Sequence, residues 1–311
     1  MAYRDLYQRQ VALLIRVLPY VAEETVFALK GGTAINLFVR DLPRLSVDID
    51  LTYLPVEPRD VSLAAIEAAL LRLADRIRAA IAGVQVSLHR LQPDNSVDKL
   101  LIQLGVTRVT IEVTPVLRGC VFDPVMMTVT ERVEAAFGFA EAQVVSFADL
   151  YAGKIVAALD RQHPRDLFDV RDLLAHEGLT GDLRAAFLIY LVSHTRPMSE
   201  VLAPHPKDIA QAYERSFEGM TETPVALDDL IAARAAIVDA AVGGMPDAHR
   251  RLLLSFETGA PDWSLINLPQ AADLPAIAWR LQNLATLTPK RRAEQVARLQ
   301  AVLYPAGSSS G

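Results

Sequence analysis

Cysteine is almost absent from this sequence, since Cys120 is the only one. A single cysteine excludes an internal disulfide and a zinc site built from cysteines. Long apolar runs are also lacking: the most apolar stretch, 185–193, holds nine residues, whereas a membrane span needs about 20. The net charge of −6 argues against a protein that coats nucleic acid. No signal-peptide pattern follows Met1, so we expect a reduced, cytoplasmic protein that does not enter a membrane.

The chain is long and apolar enough for a core without covalent cross-links. Its 311 residues, 51% of them hydrophobic, suffice for one large or two ordinary domains. Up to about residue 145, strand-like alternation is mixed with helical periodicity, and beyond it the periodicity is nearly all helical. Strand-like segments that predict a meander lie at 84–91, 99–105 and 108–116. We therefore predict an α+β, bilobed protein with a mixed-sheet core over 1–145 and a helical lobe over 146–306. A low-complexity tail, 307–311, is natural or left from expression.

Two glycines and two aspartates give the first indication of chemistry. Gly31 and Gly32 lie between a predicted strand and a predicted helix, where a phosphate can approach the backbone and the helix N-terminus favours an anion. Thr33 could cap this helix or donate its hydroxyl. Asp48 and Asp50 alternate along a strand, so their carboxylates share one face. A divalent cation removes their mutual repulsion, and Mg²⁺ is held by one or two carboxylates plus substrate phosphates. The combination predicts phosphoryl or nucleotidyl transfer.

Glu112 is a third carboxylate that could join this site. It alternates with apolar residues in the strand 108–116 and shares its face with Thr110 and Thr114. A glutamate buried in a central strand needs a metal or another partner. It would then complete a two-metal site or act as a general base on an attacking hydroxyl. The alternative is that this Thr-Glu-Thr face is simply solvated.

The joint pattern is more specific than its parts. An Asp-x-Asp pair on an edge strand is often a solvated face, and a Gly-Gly pair alone is a weaker signal still. No dinucleotide-binding, P-loop, zinc-protease or nucleophile-elbow motif is present, and the six histidines lack ligand spacing. Gly-Gly, a spacer of 15 residues, Asp-x-Asp and a later strand carboxylate occur together. This pattern resembles the nucleotidyltransferase superfamily of the polymerase-beta type.

Four motifs resemble one branch of that superfamily, the AbiEii/AbiGii toxin family. They are LKGGTAINL at 29–37, RLSVDIDL at 44–51, DLYAGKIVAAL at 149–159 and PRDLFDV at 164–170. The resemblance covers roughly residues 25–175 and no motif beyond about 180. It implies a toxin of a bacterial toxin–antitoxin or phage-abortive system that uses a nucleoside triphosphate and Mg²⁺. Some members modify the acceptor end of tRNA, so tRNA is the expected acceptor. The expected antitoxin is a winged-helix transcriptional regulator encoded nearby.

The resemblance also implies roles for the matching residues. The expected nucleotide-binding residues are Lys30, Gly31, Gly32, Thr33, Ser46 and Arg165. Asp48 and Asp50 would hold Mg²⁺, with Glu112 as the further carboxylate. Lys154 would reach the phosphates from the helical lobe, and Asp166 or Asp169 would complete the catalytic site in the cleft. The residues themselves allow other interpretations: the amine of Lys154 could extend to solvent, and the two aspartates could form ordinary ion pairs at a helix start.

Other functions stay open at this point. The metal clamp, formed by Asp48 and Asp50, would equally serve nucleotidylation of a small molecule or transfer of a phosphate. A further alternative is a protein without turnover that binds nucleotide or RNA. Ser46 could be modified by the protein itself or be a turn residue. Candidates for an RNA-binding or merely solvated basic surface are Arg161, Arg165, Arg171 and residues 290–292. We expect a site without turnover to have lost a carboxylate, and Asp48 and Asp50 are both present.

Overall fold

The chain divides into two units. In the computed structural model the described residues are 2–92 and 95–305, with side chains from residue 5 onwards, so the predicted tail lies outside them. The first unit comprises Met1–Ser146 and Phe217–Pro224, and the second comprises Phe147–Ser216 and Val225–Gly311. The first crossing between the units therefore follows Ser146, next to the boundary that the sequence predicts.

A mixed sheet with helices forms the first unit. Its strands are β1 (Phe27–Lys30), β2 (Asp48–Tyr53), β3 (Val84–Arg90), β4 (Val97–Leu104), β5 (Thr107–Val113), β6 (Val125–Thr128) and β7 (Glu141–Val144). Its helices are α1 (Ala2–Ala22), α2 (Gly31–Ala34), α3 (Arg59–Ala80) and α4 (Glu131–Phe137), and a π-helical turn over Ile35–Val39 continues α2. The α+β prediction is confirmed.

The strand order is β3-β4-β5-β2-β1-β7-β6. β2 pairs in parallel with β5, as does β1 with β7, and the other neighbours are antiparallel. The predicted meander is therefore confirmed as β3-β4-β5. Helix α1 packs on β5 and β7, and α3 packs on β3 and β4 beside it. Ile49, Leu51 and Ile111 are fully buried, so alternation directs Asp48, Asp50 and Glu112 to the opposite face.

Three short elements of the first unit escaped the sequence analysis. These are β6, α4 and β7, which follow one another between residues 125 and 144. Strands of four residues are too short to show a two-residue period. The π-helical turn over Ile35–Val39 was likewise expected to be ordinary helix.

The second unit is helical throughout its described part. Its helices are α5 (Phe147–Asp160), α6 (Pro164–His176), α7 (Gly181–Val192), α8 (Met198–Leu202), α9 (Ala210–Ser216), α10 (Leu227–Val238), α11 (Asp247–Glu257), α12 (Pro275–Ala285) and α13 (Pro289–Leu303). Helix α5 packs against α6, α7, α8 and α10. The apolar stretch 185–193 lies in α7 and its C-cap residue, Ser193, and is mostly buried. Within the described ranges, every helix is too short or too polar to span a bilayer.

A short segment departs from the predicted domain division. Residues 217–224 were expected in the helical lobe, but they pack with the first unit. Thr221 forms an isolated antiparallel bridge with Arg44, and the N–H of Leu45 donates to the carbonyl of Met220 at 2.9 Å. Phe217 and Met220 are buried there. The segment therefore braces the loop that leads into β2.

Candidate active site

Gly31 is in contact with the carboxylate of Asp50. It begins α2 directly after β1 and has φ of +74°, a conformation that favours glycine. A Cβ at this position would lie 2.4 Å from Oδ2 of Asp50. The close approach therefore requires glycine for two independent reasons, the backbone conformation and the space. It brings the predicted phosphate-binding turn against the predicted metal clamp.

Gly32 is enclosed by two side chains from the loop before β2. A Cβ there would lie 2.7 Å from Nη2 of Arg44 and 2.9 Å from Oγ of Ser46. Arg44 is buried and its Nη1 donates to the carbonyl of Leu45 at 3.0 Å. A buried guanidinium therefore lies against the Gly-Gly turn. The sequence analysis did not assign Arg44 to the site, although it lies in the RLSVDIDL motif.

Thr33 links the turn to the aspartate strand. It is fully buried, and its hydroxyl donates to the backbone carbonyl of Asp48. Its Oγ1 also lies 3.1 Å from Oγ of Ser46, which is buried too. Of the two roles expected for Thr33, the structure shows the hydroxyl donor, since Lys30 is the N-cap residue of α2. The hydrogen bond from Thr33 therefore fixes the backbone of Asp48.

The strand register places four charged residues in one row. Lys30 pairs with Asp50 across β1 and β2, and Asp50 pairs with Glu112 across β2 and β5. Glu112 in turn pairs with Lys99 across β5 and β4. The row therefore runs cation, carboxylate, carboxylate, cation along one face of the sheet.

Lys30 closes one end of this row. Its Nζ donates to Oγ1 of Thr114 at 2.9 Å. Burial holds the pKa of the Lys30 ammonium below its usual 10.5, while the charges of Asp50, Cys120 and Glu112 act in the opposite direction. A desolvated cation beside a glycine turn is suited to a phosphate. The role of Lys30 in nucleotide binding, which the family resemblance implies, stays a prediction.

Glu112 forms an ion pair with Lys99, and its side chain is 44% exposed to solvent. Its Oε2 lies 2.7 Å from Nζ of Lys99. Among the described residues, no three His, Cys, Asp or Glu side chains gather closely enough to hold a metal ion. Glu112 shares a face of the paired strands β2 and β5 with the pair Asp48 and Asp50, and its role as a metal ligand stays a prediction. Two carboxylates suffice for Mg²⁺ when substrate phosphates supply further oxygens, so the pair fits that ion without Glu112.

In the second unit, Lys154 lies between two aspartates. Its Nζ is 2.9 Å from Oδ1 of Asp166 and 3.2 Å from Oδ2 of Asp169. The side chains are 7%, 1% and 1% exposed, respectively. The alternative in which this amine extends to solvent is therefore wrong. Because both aspartates contact the same amine, they lie on one face of α6.

Arg161 contacts this buried pair from outside, with its own side chain 62% exposed. Its Nε and Nη2 both donate to the carboxylate of Asp166, in the two-pronged arrangement that guanidinium groups favour. Burial alone would raise the pKa of Asp166, but the charge of Lys154 and the contacts with Arg161 outweigh it. The pKa of Asp166 consequently lies well below its usual 3.8. The carboxylate is ionised across the physiological range.

Local sequence explains how α5 and α6 present these residues. His163 caps α6, with its Nδ1 accepting from the N–H of Arg165 at 3.2 Å, and Pro164 occupies the first helical position. Arg165 itself is half-buried. On α5, a Cβ at Gly153 would lie 3.2 Å from the ring of Tyr190, whose hydroxyl donates to Asp149 at 3.1 Å. Tyr190 thus packs beside the residue preceding Lys154.

The expected site residues form two sets, one in each unit. The first unit holds Lys30, Gly31, Gly32, Thr33, Ser46, Asp48, Asp50 and Glu112, and the second holds Lys154, Arg165, Asp166 and Asp169. Sequence reasoning assigned no role at the site to Arg44, Lys99 and Tyr190, and it placed Arg161 only on an RNA-binding or solvated basic surface. Arg44 and Arg161 lie in or beside the matching motifs, whereas Lys99 and Tyr190 are revealed only by strand register and helix packing.

The mixed sheet, the Gly-Gly turn at the start of α2 and the Asp-x-Asp strand together define a nucleotidyltransferase. A family model described as the nucleotidyl transferase AbiEii toxin of type IV toxin–antitoxin systems matches residues 12–283. The chain therefore belongs to the AbiEii family of nucleotidyltransferase toxins. Membership in a toxin–antitoxin family implies an antitoxin partner, and nucleotidyl transfer implies a nucleoside triphosphate as substrate and generally a divalent metal ion.

A solved structure shows the same fold. The chain is similar to MenT4, a nucleotidyltransferase toxin from Mycobacterium tuberculosis, with a TM-score of 0.58 and 16% sequence identity. The match covers 96% of this chain and 93% of MenT4. A search of curated proteins found no match.

Proposed function

We propose that the protein transfers a nucleotidyl group from a nucleoside triphosphate to a hydroxyl at the acceptor end of tRNA, with release of pyrophosphate. The observation that carries the proposal is the contact between Gly31 and Asp50, where a Cβ would lie 2.4 Å from the carboxylate. It places a backbone turn that is suited to an anion in direct contact with one carboxylate of the Asp48 and Asp50 pair. That juxtaposition is what transfer between phosphate-bearing substrates requires.

Asp48 and Asp50 are the residues that would hold Mg²⁺. When bound, the ion would neutralise negative charge on the triphosphate. The chain's own groups do the rest of the binding: the N–H groups at the start of α2 receive a phosphate, and the Lys30 ammonium adds a positive charge beside them. Thr33 fixes the backbone of Asp48 through its hydroxyl. Arg44 and Ser46 stiffen the turn from the side of Gly32.

We include Lys154, Asp166 and Asp169 in the same reaction. The Lys154 ammonium is held by both carboxylates, at 2.9 and 3.2 Å. A charge fixed in this way needs no reorganisation as negative charge grows on the leaving pyrophosphate. Its motif is one of the four that resemble the family, which supports a catalytic role beside the structural one. Arg165, in the next motif, is proposed to bind the triphosphate as well.

The tRNA acceptor end is supported by the family resemblance of the four motifs. The same resemblance supports a winged-helix regulator, encoded nearby, as the antitoxin. Small-molecule acceptors and phosphate transfer are alternatives that use the same clamp, and the experiment below separates them from the proposal.

The test is to incubate the purified protein with total RNA and each of the four nucleoside triphosphates, labelled on the α-phosphate, with and without Mg²⁺. We expect label in the tRNA fraction, dependent on Mg²⁺ and absent with Asp48→Asn. A parallel reaction uses triphosphates labelled on the γ-phosphate, and label transferred only in that reaction would show phosphoryl transfer. Label in a small molecule but not in RNA would replace tRNA as the acceptor, and no transfer from any triphosphate would contradict the proposed activity.

A further inference from the structure

Lys99 occupies the end of the charged row beside the predicted metal clamp. It pairs with Glu112 across β4 and β5, and Glu112 pairs with Asp50 across β5 and β2. The position follows from strand register, so it is a property of the sheet and not of a flexible loop. No sequence motif marks it.

The Lys99 ammonium is engaged with the third carboxylate. Its Nζ lies 2.7 Å from Oε2 of Glu112, and the two side chains are 33% and 44% exposed. The hydrogen bond with Glu112 raises the pKa of Lys99 above 10.5 against the effect of burial, and the charges of Asp98 and Asp48 add to it. Lys99 therefore stays charged and lies within electrostatic range of Asp48.

A third carboxylate in a nucleotidyltransferase site can serve as a further metal ligand. In this structure the oxygen of Glu112 that would do so is in contact with an ammonium group. The described residues also contain no three-ligand cluster at this face. A positive charge already balances Glu112 at the place where a second ion would do the same.

We propose that Lys99 is a positioning residue that keeps Glu112 out of the metal coordination. Its ammonium supplies the positive charge that a second metal ion would otherwise bring to Glu112. This inference rests on the proposed function, since it presumes that Asp48 and Asp50 hold the metal. The clamp then binds one divalent ion in the absence of nucleotide, and Glu112 takes no part in holding it. Removal of the Lys99 charge alone exposes the Glu112 carboxylate to the clamp.

Mn²⁺ binding to the nucleotide-free protein, followed by the EPR signal of the free ion, tests the inference without measuring turnover. We expect one Mn²⁺ in the parent protein. Lys99→Met should bind Mn²⁺ roughly three- to tenfold more tightly or take up a second ion, because one positive charge near the carboxylates is lost. Arg90→Met is the matched control: it removes one positive charge from a pair with Glu67 elsewhere on the first unit and should leave binding unchanged.

The double variant Lys99→Met, Glu112→Gln decides between the two roles of Glu112. It removes both charges of the pair, so we expect Mn²⁺ affinity within about twofold of the parent. Affinity tenfold weaker would make Glu112 a ligand and overturn the inference. Equal affinity of Lys99→Met and Arg90→Met would also overturn it, because Lys99 would then be an ordinary surface ion pair.

Asp48→Asn separates this inference from the function on which it rests. Loss of Mn²⁺ binding in Asp48→Asn together with weakened binding in the double variant would leave the clamp in place and refute only the role of Lys99. Retention of Mn²⁺ by Asp48→Asn would refute the clamp, and the inference with it.

Discussion

Gly31 and Asp50 are held so closely that a Cβ on residue 31 would lie 2.4 Å from Oδ2 of the aspartate. The backbone at Gly31 also has φ of +74°. Two costs of any side chain there can therefore be separated: strain of the backbone and displacement of the carboxylate.

Gly31→Ala should abolish transfer, because the methyl group would push Asp50 out of its position. The left-handed backbone should lower the free energy of unfolding by about 1–2 kcal/mol. Gly105→Ala is the control, since Gly105 has φ of +59° in the β4–β5 turn and open space around its missing Cβ. It should lose similar stability and keep transfer. Urea unfolding and labelled-nucleotide transfer on both variants check this, and equal activity of the two would disprove the contact argument.

Asp48→Asn and Asp50→Asn should each reduce transfer by a factor of 10² or more, about the effect of removing one charge-stabilising group. Both amides are nearly isosteric with the acids, so we expect circular dichroism and melting temperature close to those of the parent protein. Asp75→Asn is the control for a neutralised aspartate, since the Asp75 side chain on α3 is 78% exposed. Transfer at the parent rate by either site variant would remove that residue from the clamp.

Lys154→Met should destabilise the protein as well as impair transfer, since it leaves two buried carboxylates without their shared cation. Breaking a buried pair from one side costs about 3–5 kcal/mol, and the contacts of Arg161 with Asp166 place the expectation at the lower end. Adding Asp169→Asn to Lys154→Met should restore part of the stability without restoring transfer. Recovery of both together would show that Lys154 has only a structural role.

Stability should depend on pH through Asp166. Its folded-state pKa lies below the usual 3.8, so the ionised carboxylate stabilises the fold fully above pH 3.8, and this contribution is lost as the pH falls towards the folded-state value. Asp166→Asn should therefore be less stable than the parent by a constant amount from pH 7 to about 5, and the difference should shrink below about pH 4. Urea unfolding across this range measures it, and a difference that stays constant down to pH 3 would argue against the shift.

The proposed function predicts that expression in bacteria slows growth by arresting translation, because a tRNA modified at its acceptor end could not be charged with an amino acid. Asp48→Asn should be harmless at an equal level of protein. Pulse labelling of new protein should fall before RNA or DNA synthesis does. Equal toxicity of the two forms would mean that the growth defect does not depend on catalysis.

The sequence predicts the elements that are long enough to repeat their hydrophobic period several times. The strands around Asp48 and Glu112 and most of the helices of the second unit lie close to their expected positions, because several buried residues repeat with a regular period in each. β6 and β7 were missed because four residues give no period, and residues 217–224 were misplaced because a single isolated bridge to Arg44 leaves no local pattern.

The parts of the candidate site that lie in local motifs could be predicted from the sequence. The parts that depend on how neighbouring strands pair could not. Gly31, Asp48 and Asp50 could be proposed from their spacing. The partner of Glu112 could not, since only the pairing of β4 with β5 brings Lys99 to it. Asp166 and Asp169 were expected at the site, but their burial around the amine of Lys154 depends on how α5 packs against α6.

The path of the chain through residues 217–224 bears on biosynthesis. The loop that carries Arg44 against Gly32 is bonded to Met220 and Thr221, which are synthesised some 175 residues later. A ribosome must therefore synthesise Phe147–Ser216, the first part of the second unit, before the glycine turn is braced. We infer that a nascent chain released at Ser146 has the strands of the clamp but lacks the segment that holds its loop, so truncation by a premature stop yields a protein with an unsupported turn.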